Sequence, residues 1–274
     1  MKKLFLIIFF CSACNLSYKL DLPSGDKYQE VAYLEKEAIL QDLRQDLLNY
    51  KSIRAKTSLH LEKSLGSKDV VQVFVAKRPD KFRLEFFVPG INHLAAILVS
   101  KHSELTYVDF TEKQAYQGIG DKETLEQIIS IPIGVRELIV WLSGKAFLPD
   151  IEVSNYKVYR QDKKLLLKET FKDGRIINFY LAEVASESKN KKYQVEFSEI
   201  YSKEKKLIFQ SKFLYRNFQP SSISFTLPEQ NAKGDIEFEK FLINPDLSKT
   251  EERLFNFKIP DDMPTQRLNY RFPL

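Results

Sequence analysis

Cysteine is nearly missing from this chain. The 274 residues hold two, Cys11 and Cys14, both at the very start. Beyond them no thiol remains for a disulfide or a zinc site, so stability must come from buried apolar surface. Histidine is scarce as well: His60, His93 and His102 are the three, and their spacing does not suit a metal site. No Gly-x-Ser-x-Gly elbow and no phosphate-binding loop occurs, which removes the common signatures of acyl hydrolases and nucleotide enzymes. Basic residues do not cluster. Lys and Arg interleave with Asp and Glu, and the formal charge is +5, two of it from Lys2 and Lys3. A nucleic-acid surface needs a basic patch or stripe, so nucleic acid is not an expected partner. The apolar run Leu4 to Phe10 is too short to span a bilayer, which takes about 20 apolar residues. No internal repeat at a fixed period is evident.

What is present begins at the N-terminus. Lys2 and Lys3, the short apolar run and the small residues Ser12 and Ala13 form the pattern of a secretory signal that is removed. Cys11-Ser12-Ala13-Cys14 resembles the lipobox of bacterial lipoproteins, with Cys11 where Leu is usual. The resemblance implies that residues 1–13 are a signal peptide and that the Cys14 thiol takes a diacylglyceryl group. Two other readings stand beside it: a Cys-x-x-Cys redox or metal pair, and an ordinary signal with a chance cysteine. Asn15 follows Cys14, in a place where an aspartate resembles the inner-membrane retention signal of enteric lipoproteins. Its absence leans towards an outer-membrane position facing the periplasm. Residues 14–28, with Pro23, Ser24 and Gly25 together, read as a lipidated tether.

The remainder, 29–274, reads as one domain. The hydrophobic share of the whole chain is 43%, enough for a sizeable core, and its 21 Phe and 13 Tyr favour strands. Residues 29–49 carry a helical period, with Val31, Leu34, Ala38, Leu43 and Leu47 near one face. From about residue 53 the period becomes two. Thr57, Leu59 and Leu61 alternate with polar neighbours, and so do Phe82, Leu84 and Phe86. Ile177, Phe179 and Leu181 repeat the pattern, as do Tyr193, Val195 and Phe197, and Ile223, Phe225 and Leu227. Each is a strand with one buried face. Turns are expected at Arg78-Pro79-Asp80, Lys172-Asp173-Gly174 and Asn231-Ala232-Lys233-Gly234. Many antiparallel strands on short turns predict a large curved sheet or barrel. A helical insert interrupts it. Asp121 can cap 122–130, where Leu125, Ile128 and Ile129 share a face; Pro132 and Gly134 break the chain; and 135–143 follows, with Gly144 as the stop. Both helices are apolar enough to lie across the open face.

The order helix, curved sheet, short helical insert and more sheet resembles the LolA/LolB fold of lipoprotein-trafficking proteins. The central segment carries the likeness. Phe87-Val88-Pro89-Gly90-Ile91 ends a strand, strands at 94–100 and 104–110 follow, then Lys113-Gln114-Ala115-Tyr116 and the helical stretch 121–144. Pro132, Leu138, Trp141 and Gly144 are spaced like the Pro-x5-Leu-x2-Trp-x2-Gly stretch of the outer-membrane receptor LolB. The match covers roughly 53–161. It implies a mainly β fold: a half-open antiparallel barrel with an N-terminal helix, a short helical lid and an apolar cavity that holds acyl chains of lipoproteins. It also implies a LolA-like periplasmic carrier as partner, with the anchor at Cys14 placing this chain on the receptor side. In LolB an exposed apolar loop residue aids membrane insertion. The matching loop here is Pro89, Gly90 and Ile91, with Gly90 where the family has Leu and Ile91 as the tip. A stretch at 245–274 extends beyond LolB, and its residues 254–260 resemble the last strand of LolA.

Physical chemistry supports such a role without a cofactor. Burial stabilises an acyl chain by about 0.8 kcal/mol per methylene, so an apolar cavity holds it without covalent chemistry. Candidates to line the cavity are Phe82, Leu84, Phe86, Ile97, Leu138 and Trp141. The same side chains serve equally as an ordinary packed core. Two alternatives therefore remain: an envelope scaffold with a filled barrel, and a carrier of another lipid or glycolipid. No nucleophile or catalytic carboxylate pair stands out, and Glu196 and Glu199 read as solvated surface charge, so no enzyme is expected.

Overall fold

A computed structural model of the chain describes residues 28–64, 66–149, 153–184 and 192–268. The signal, Cys14 and the tether up to residue 27 lie outside the described residues.

A short strand β1 (Gln29–Glu30) and helix α1 (Tyr33–Leu48) lead into six strands. These are β2 (Ser52–Lys63), β3 (Gly66–Lys77), β4 (Lys81–Val88), β5 (His93–Lys101), β6 (Glu104–Asp109) and β7 (Gln114–Ile119). Two helices interrupt, α2 (Lys122–Ile129) and α3 (Val135–Leu142). Seven strands follow: β8 (Tyr156–Gln161), β9 (Lys164–Thr170), β10 (Ile176–Val184), β11 (Lys192–Tyr201), β12 (Leu207–Arg216), β13 (Gln219–Leu227) and β14 (Ala232–Ile243). Helix α4 (Glu251–Phe255) and strand β15 (Thr265–Arg267) end the described chain.

All the strands belong to one sheet, in the order β1-β8-β9-β10-β11-β12-β13-β14-β2-β3-β4-β5-β6-β7-β15. Pairing of β14 with β2 joins the two runs, and every neighbouring pair is antiparallel except β15 on β7. Strands β1 and β15 are the two edges and do not pair, so the sheet is a half-open barrel. This is the architecture expected from the alternating patterns.

Register explains which side chains face in. Phe82, Leu84 and Phe86 pair with Ala76, Phe74 and Gln72 on one side, and with Ser100, Leu98 and Ala96 on the other. Phe82 and Leu84 are buried, in one cluster with α1, α2, α3 and the inward residues of β8–β14. Ile97 differs from the expectation. Its parity on β5 sends it to the opposite face, where it packs with Val99, Val108 and Ala115. The apolar run of β5 is buried on both faces, because the C-terminal segment covers the outside. Phe257, Ile259 and Met263 lie on that outer cluster, and Phe255 packs on Val75 beside it. Residues 254–260 therefore form no sheet strand. Leu254 and Phe255 close α4, and 256–260 run on from it as a strap held by Lys81 on Glu251 (2.6 Å) and Arg83 on the Leu254 carbonyl (3.1 Å). The strap ends as β15, where Leu268 N donates to the Gln117 carbonyl at 2.7 Å and its side chain is buried.

Two local expectations also shift. Helix α1 buries Ile39, Leu40, Leu43 and Leu47, while Leu34 is 78% exposed. The chain before it is tied to the sheet edge through Val31 N and the Val158 carbonyl (3.0 Å), so the helix starts later and its first turn overhangs. The turn expected at Asn231–Gly234 occupies 228–231 instead, with Ala232 already in β14. Gly234 has a packing role there: a Cβ would stand 2.4 Å from the Phe225 ring across the strand pair.

Candidate functional site: the inner face, its lid and the exposed loop

The lid grows from two capped helix starts placed together. Asp121 Oδ1 accepts a hydrogen bond from Thr124 N at 2.9 Å, capping α2 as expected. At α3 the bond runs the other way round: Glu137 Oε2, in the third helical position, accepts from Gly134 N at 2.9 Å. Val135 N donates to the Gly120 carbonyl at 3.1 Å, which pins one start to the other. Gly144 ends the insert at φ +67, the left-handed position that glycine adopts without strain. The Tyr215 hydroxyl lies 2.8 Å from both the Gly144 and the Val195 carbonyl oxygens; its proton serves one at a time. Burial pushes that phenol well above its ordinary pKa.

Trp141 is the centre of the inner face. It is the chain's only tryptophan. Its ring packs edge-on against Phe209, Phe213 and Phe225 at centroid distances of 5.6, 6.3 and 5.9 Å. Its Nε1 donates to Ser211 Oγ at 2.9 Å, and Ser211 in turn shares a 2.7 Å hydrogen bond with Ser198. Leu138 and Trp141 from α3 and Phe82 and Leu84 from β4 are thus gathered in one apolar body, with Phe86 half-buried at its margin. Ile97 stands apart on the outer face. These inward side chains pack against one another, and two hollows lie elsewhere.

One of them, about 320 Å³, opens where α2 and α3 begin, among Asp80, Ser100, Lys122, Glu123, Arg136 and Arg175. The other, about 360 Å³, is a groove on the outer face beside Pro89, with His60, Asp69, Asp235 and Glu237. The first is lined largely by charged and polar side chains, the second mixes these with Leu59, Val70, Val71 and Pro89, and neither is lined by the six residues expected to face acyl chains.

Buried charge is the feature that sequence reasoning missed. Glu169 is fully buried on the inward side of β9, next in alternation after Leu165 and Leu167. Neither carboxyl oxygen has a hydrogen-bond partner, since the nearby Tyr156 hydroxyl donates to the Pro149 carbonyl at 3.2 Å. Burial pushes its pKa up to about 8, with Glu137 adding to the rise and Tyr156, Arg175 and Arg44 opposing it. Arg175 spans the gap to the lid: it reaches the Pro132 carbonyl at 3.0 Å, Glu137 at 3.3 Å and Asp173 at 2.6 Å. The alternation of β9 already pointed Glu169 inward, so its position was legible. Glu199 is a second correction. It is 1% exposed, on the outer side of β11, and accepts from Asn178 Nδ2 (3.2 Å) and the Tyr180 hydroxyl (3.1 Å). Burial and Glu199 push Tyr201 up to about 12.

The loop between β4 and β5 projects from the sheet. Gly90 has φ +84 and Asn92 φ +48, so the turn needs a glycine where the LolB pattern has Leu. Ile91 is 70% exposed at the tip, and Val88 beside it is also exposed. The turn after β2 and the turn after β11, which carries Lys203, Lys205 and Lys206, lie at the same end of the sheet.

No family model matches the chain, and neither does any curated protein. Solved structures do match in fold. A domain named as an outer-membrane lipoprotein-sorting protein, from Vibrio parahaemolyticus, aligns with TM-score 0.56 at 10% identity, covering 79% of this chain and 98% of that one. A DUF1329-family protein from Desulfovibrio piger aligns with TM-score 0.57 at 11% identity, covering 81% and 96%. A LolA-superfamily protein from Nitrosomonas europaea aligns with TM-score 0.51 at 10% identity, covering 81% and 97%. The chain shares its fold with these three structures.

Proposed function

We propose that this protein is a lipid-anchored envelope protein that takes acyl chains under the lid formed by α2 and α3. One observation carries the reading. The inner face of a half-open sheet is lined mainly by apolar side chains, with Glu169 and the Ser198–Ser211 pair among them, and is covered by two eight-residue helices that bury Leu125 and Ile128 from one and Val135, Leu138, Ile139 and Trp141 from the other. Such a cover is small enough to be displaced, and an acyl chain replaces its contacts at about 0.8 kcal/mol per methylene. The packed interior is then the closed, unloaded state. The anchor is Cys14, and the finer role is that of a LolB-like receptor: it accepts lipoproteins from a LolA-like carrier and delivers them to the outer membrane from the periplasmic side. The exposed Ile91 supports that role as the residue that enters the bilayer. No helix among the described residues is long and apolar enough to cross a membrane. On this reading the protein binds and does no covalent chemistry.

A second reading has its own support. The aromatic packing around Trp141 is that of a filled core, which suits an envelope scaffold. A soluble version starting after Cys14, mixed with a fluorescent apolar probe and challenged with acylated lipopeptide, separates the two. Displacement of bound probe supports an acyl site. Failure to bind any probe removes it and leaves the scaffold. Displacement by a glycolipid but not by the lipopeptide points to a carrier of another lipid.

A further inference from the structure

The starts of α2 and α3 leave backbone donors over. In α2 the Thr124 N–H is taken by Asp121, while those of Lys122 and Glu123 form no hydrogen bond among the described residues. In α3 the Val135 N–H goes to the Gly120 carbonyl, while those of Arg136 and Glu137 form none. All four residues border the hollow of about 320 Å³ at the lid's start. That volume falls at the small end of ligand sites, which run from about 300 to 1,000 Å³.

Side chains from the sheet side complete the hollow. Ser100, on β5, is fully buried, and its hydroxyl has no hydrogen-bond partner among the described residues. It faces Gly120, where a Cβ would stand 3.5 Å from the hydroxyl oxygen. A buried hydroxyl without a partner is destabilising, and a ligand atom that bonds it removes that penalty. Asp80 has a side chain only 14% exposed, and its one ion pair among the described residues is with Arg136 at 3.9 Å, beyond hydrogen-bond reach. Phe147 supplies an apolar wall.

We propose that this hollow is a binding site for a saccharide unit. The balance of its groups selects a neutral polyol over an ion of either sign. Five carboxylates line it, Asp80, Asp121, Glu123, Glu137 and Asp173, against three cations, Lys122, Arg136 and Arg175. That surplus repels phosphate or a carboxylate ligand. Four free N–H donors at the positive ends of two helices oppose a metal ion or an amine. A sugar hydroxyl donates and accepts at once, so it bonds an N–H and the Asp80 carboxylate together. The Phe147 ring packs on the apolar C–H face of the sugar. The site stands apart from the proposed acyl face, since neither Leu138 nor Trp141 borders it. A sugar bonded to both helix starts and to Ser100 on the sheet holds the lid closed.

The four free amides report on the site directly. Their resonances, at Lys122, Glu123, Arg136 and Glu137, are followed in the full mature protein held in lipid nanodiscs. Glucose, N-acetylglucosamine, inorganic phosphate and spermidine are added in separate titrations. At least one of the two sugars is expected to shift all four amides saturably, and phosphate and spermidine none. Ser100→Ala is expected to weaken that sugar about fivefold while melting holds or rises, because the hydroxyl it removes has no partner among the described residues. A shift with phosphate or spermidine alone overturns the saccharide in favour of an ion. No shift with any of the four overturns the site. Undiminished sugar binding by Ser100→Ala overturns the role of its hydroxyl. Each of these failures leaves the lipopeptide challenge, and with it the acyl reading, untouched.

Discussion

Helices α2 and α3 have the same length and share a starting point, yet the inner face holds them very differently. Helix α3 buries six of its eight residues, Val135, Leu138, Ile139, Val140, Trp141 and Leu142. It adds the Trp141–Ser211 hydrogen bond and the Arg175–Glu137 ion pair. Helix α2 buries Thr124, Leu125 and Ile128, and its far end is tied by the Gln230 amide donating to the Ser130 carbonyl at 2.8 Å. Free energy of opening follows buried apolar surface. On the proposed function the lid would open at α2, with α3 as its fixed leaf, and an acyl chain would enter beside Leu125 before it reaches Trp141.

The largest effect should come from the fixed leaf. Trp141→Ala removes a ring packed on three phenylalanines and strands the Ser211 hydroxyl pair; a loss of about 3–5 kcal/mol is expected from denaturant midpoints. Leu125→Ala on α2 should cost less than that and should speed exchange of α2 amides before those of α3. Equal protection of both helices in the unmodified protein would break the comparison.

Raising pH should weaken the α3 side. Glu169 keeps its proton in the folded chain up to about 8, against an ordinary 4.5. Between those values the unfolded chain gives up a proton that the folded chain retains, so stability falls as pH rises and levels off above about 8. Above that point a buried carboxylate also faces Glu137 at the start of α3. Glu169→Gln should flatten this slope across the window; melts that fall with pH as steeply as before would remove Glu169 as the cause.

Gly234→Ala should be next in size. The added Cβ meets the Phe225 ring, which packs on Trp141, and overpacking of this kind costs about 1–3 kcal/mol. A neutral result would mean that the aromatic cluster has room to shift. Smallest in stability is Ile91→Glu. An exposed loop substitution lies within about 0.5 kcal/mol, so melting should hold while delivery of lipoprotein to membranes slows. Unchanged delivery would remove the loop from the mechanism.

Much of this arrangement was legible in the chain. Alternation placed Phe82, Leu84 and Phe86 on one face, and Asp121, Gly134 and Gly144 marked the lid's ends, because caps and left-handed stops are local chemistry. Ile97 was not legible. Its strand reads apolar at Leu94, Ala95, Ala96, Ile97, Leu98 and Val99, and a run apolar on both faces carries no parity. The strap misled for a related reason. Phe255, Phe257 and Ile259 alternate like a strand, but a period of two marks one buried face and not a hydrogen-bonded partner. Glu199 was read as solvated because its burial comes from Asn178 and Tyr180 on the paired strand β10, a register that the pattern of β11 alone does not reveal. Whether the inner face encloses a hollow was beyond the pattern altogether, since lining and filling use the same side chains.

The most direct measurement uses Trp141 itself, the one tryptophan, seated on the fixed leaf of the lid. The protein is titrated with a lipopeptide whose acyl chains carry bromine, which quenches only at contact. The account predicts saturable quenching, reversed by an unbrominated competitor and weakened when α2 is cross-linked to the sheet. Emission that stays unchanged through the titration, with the lipopeptide shown to be monomeric, would contradict an acyl site under the lid.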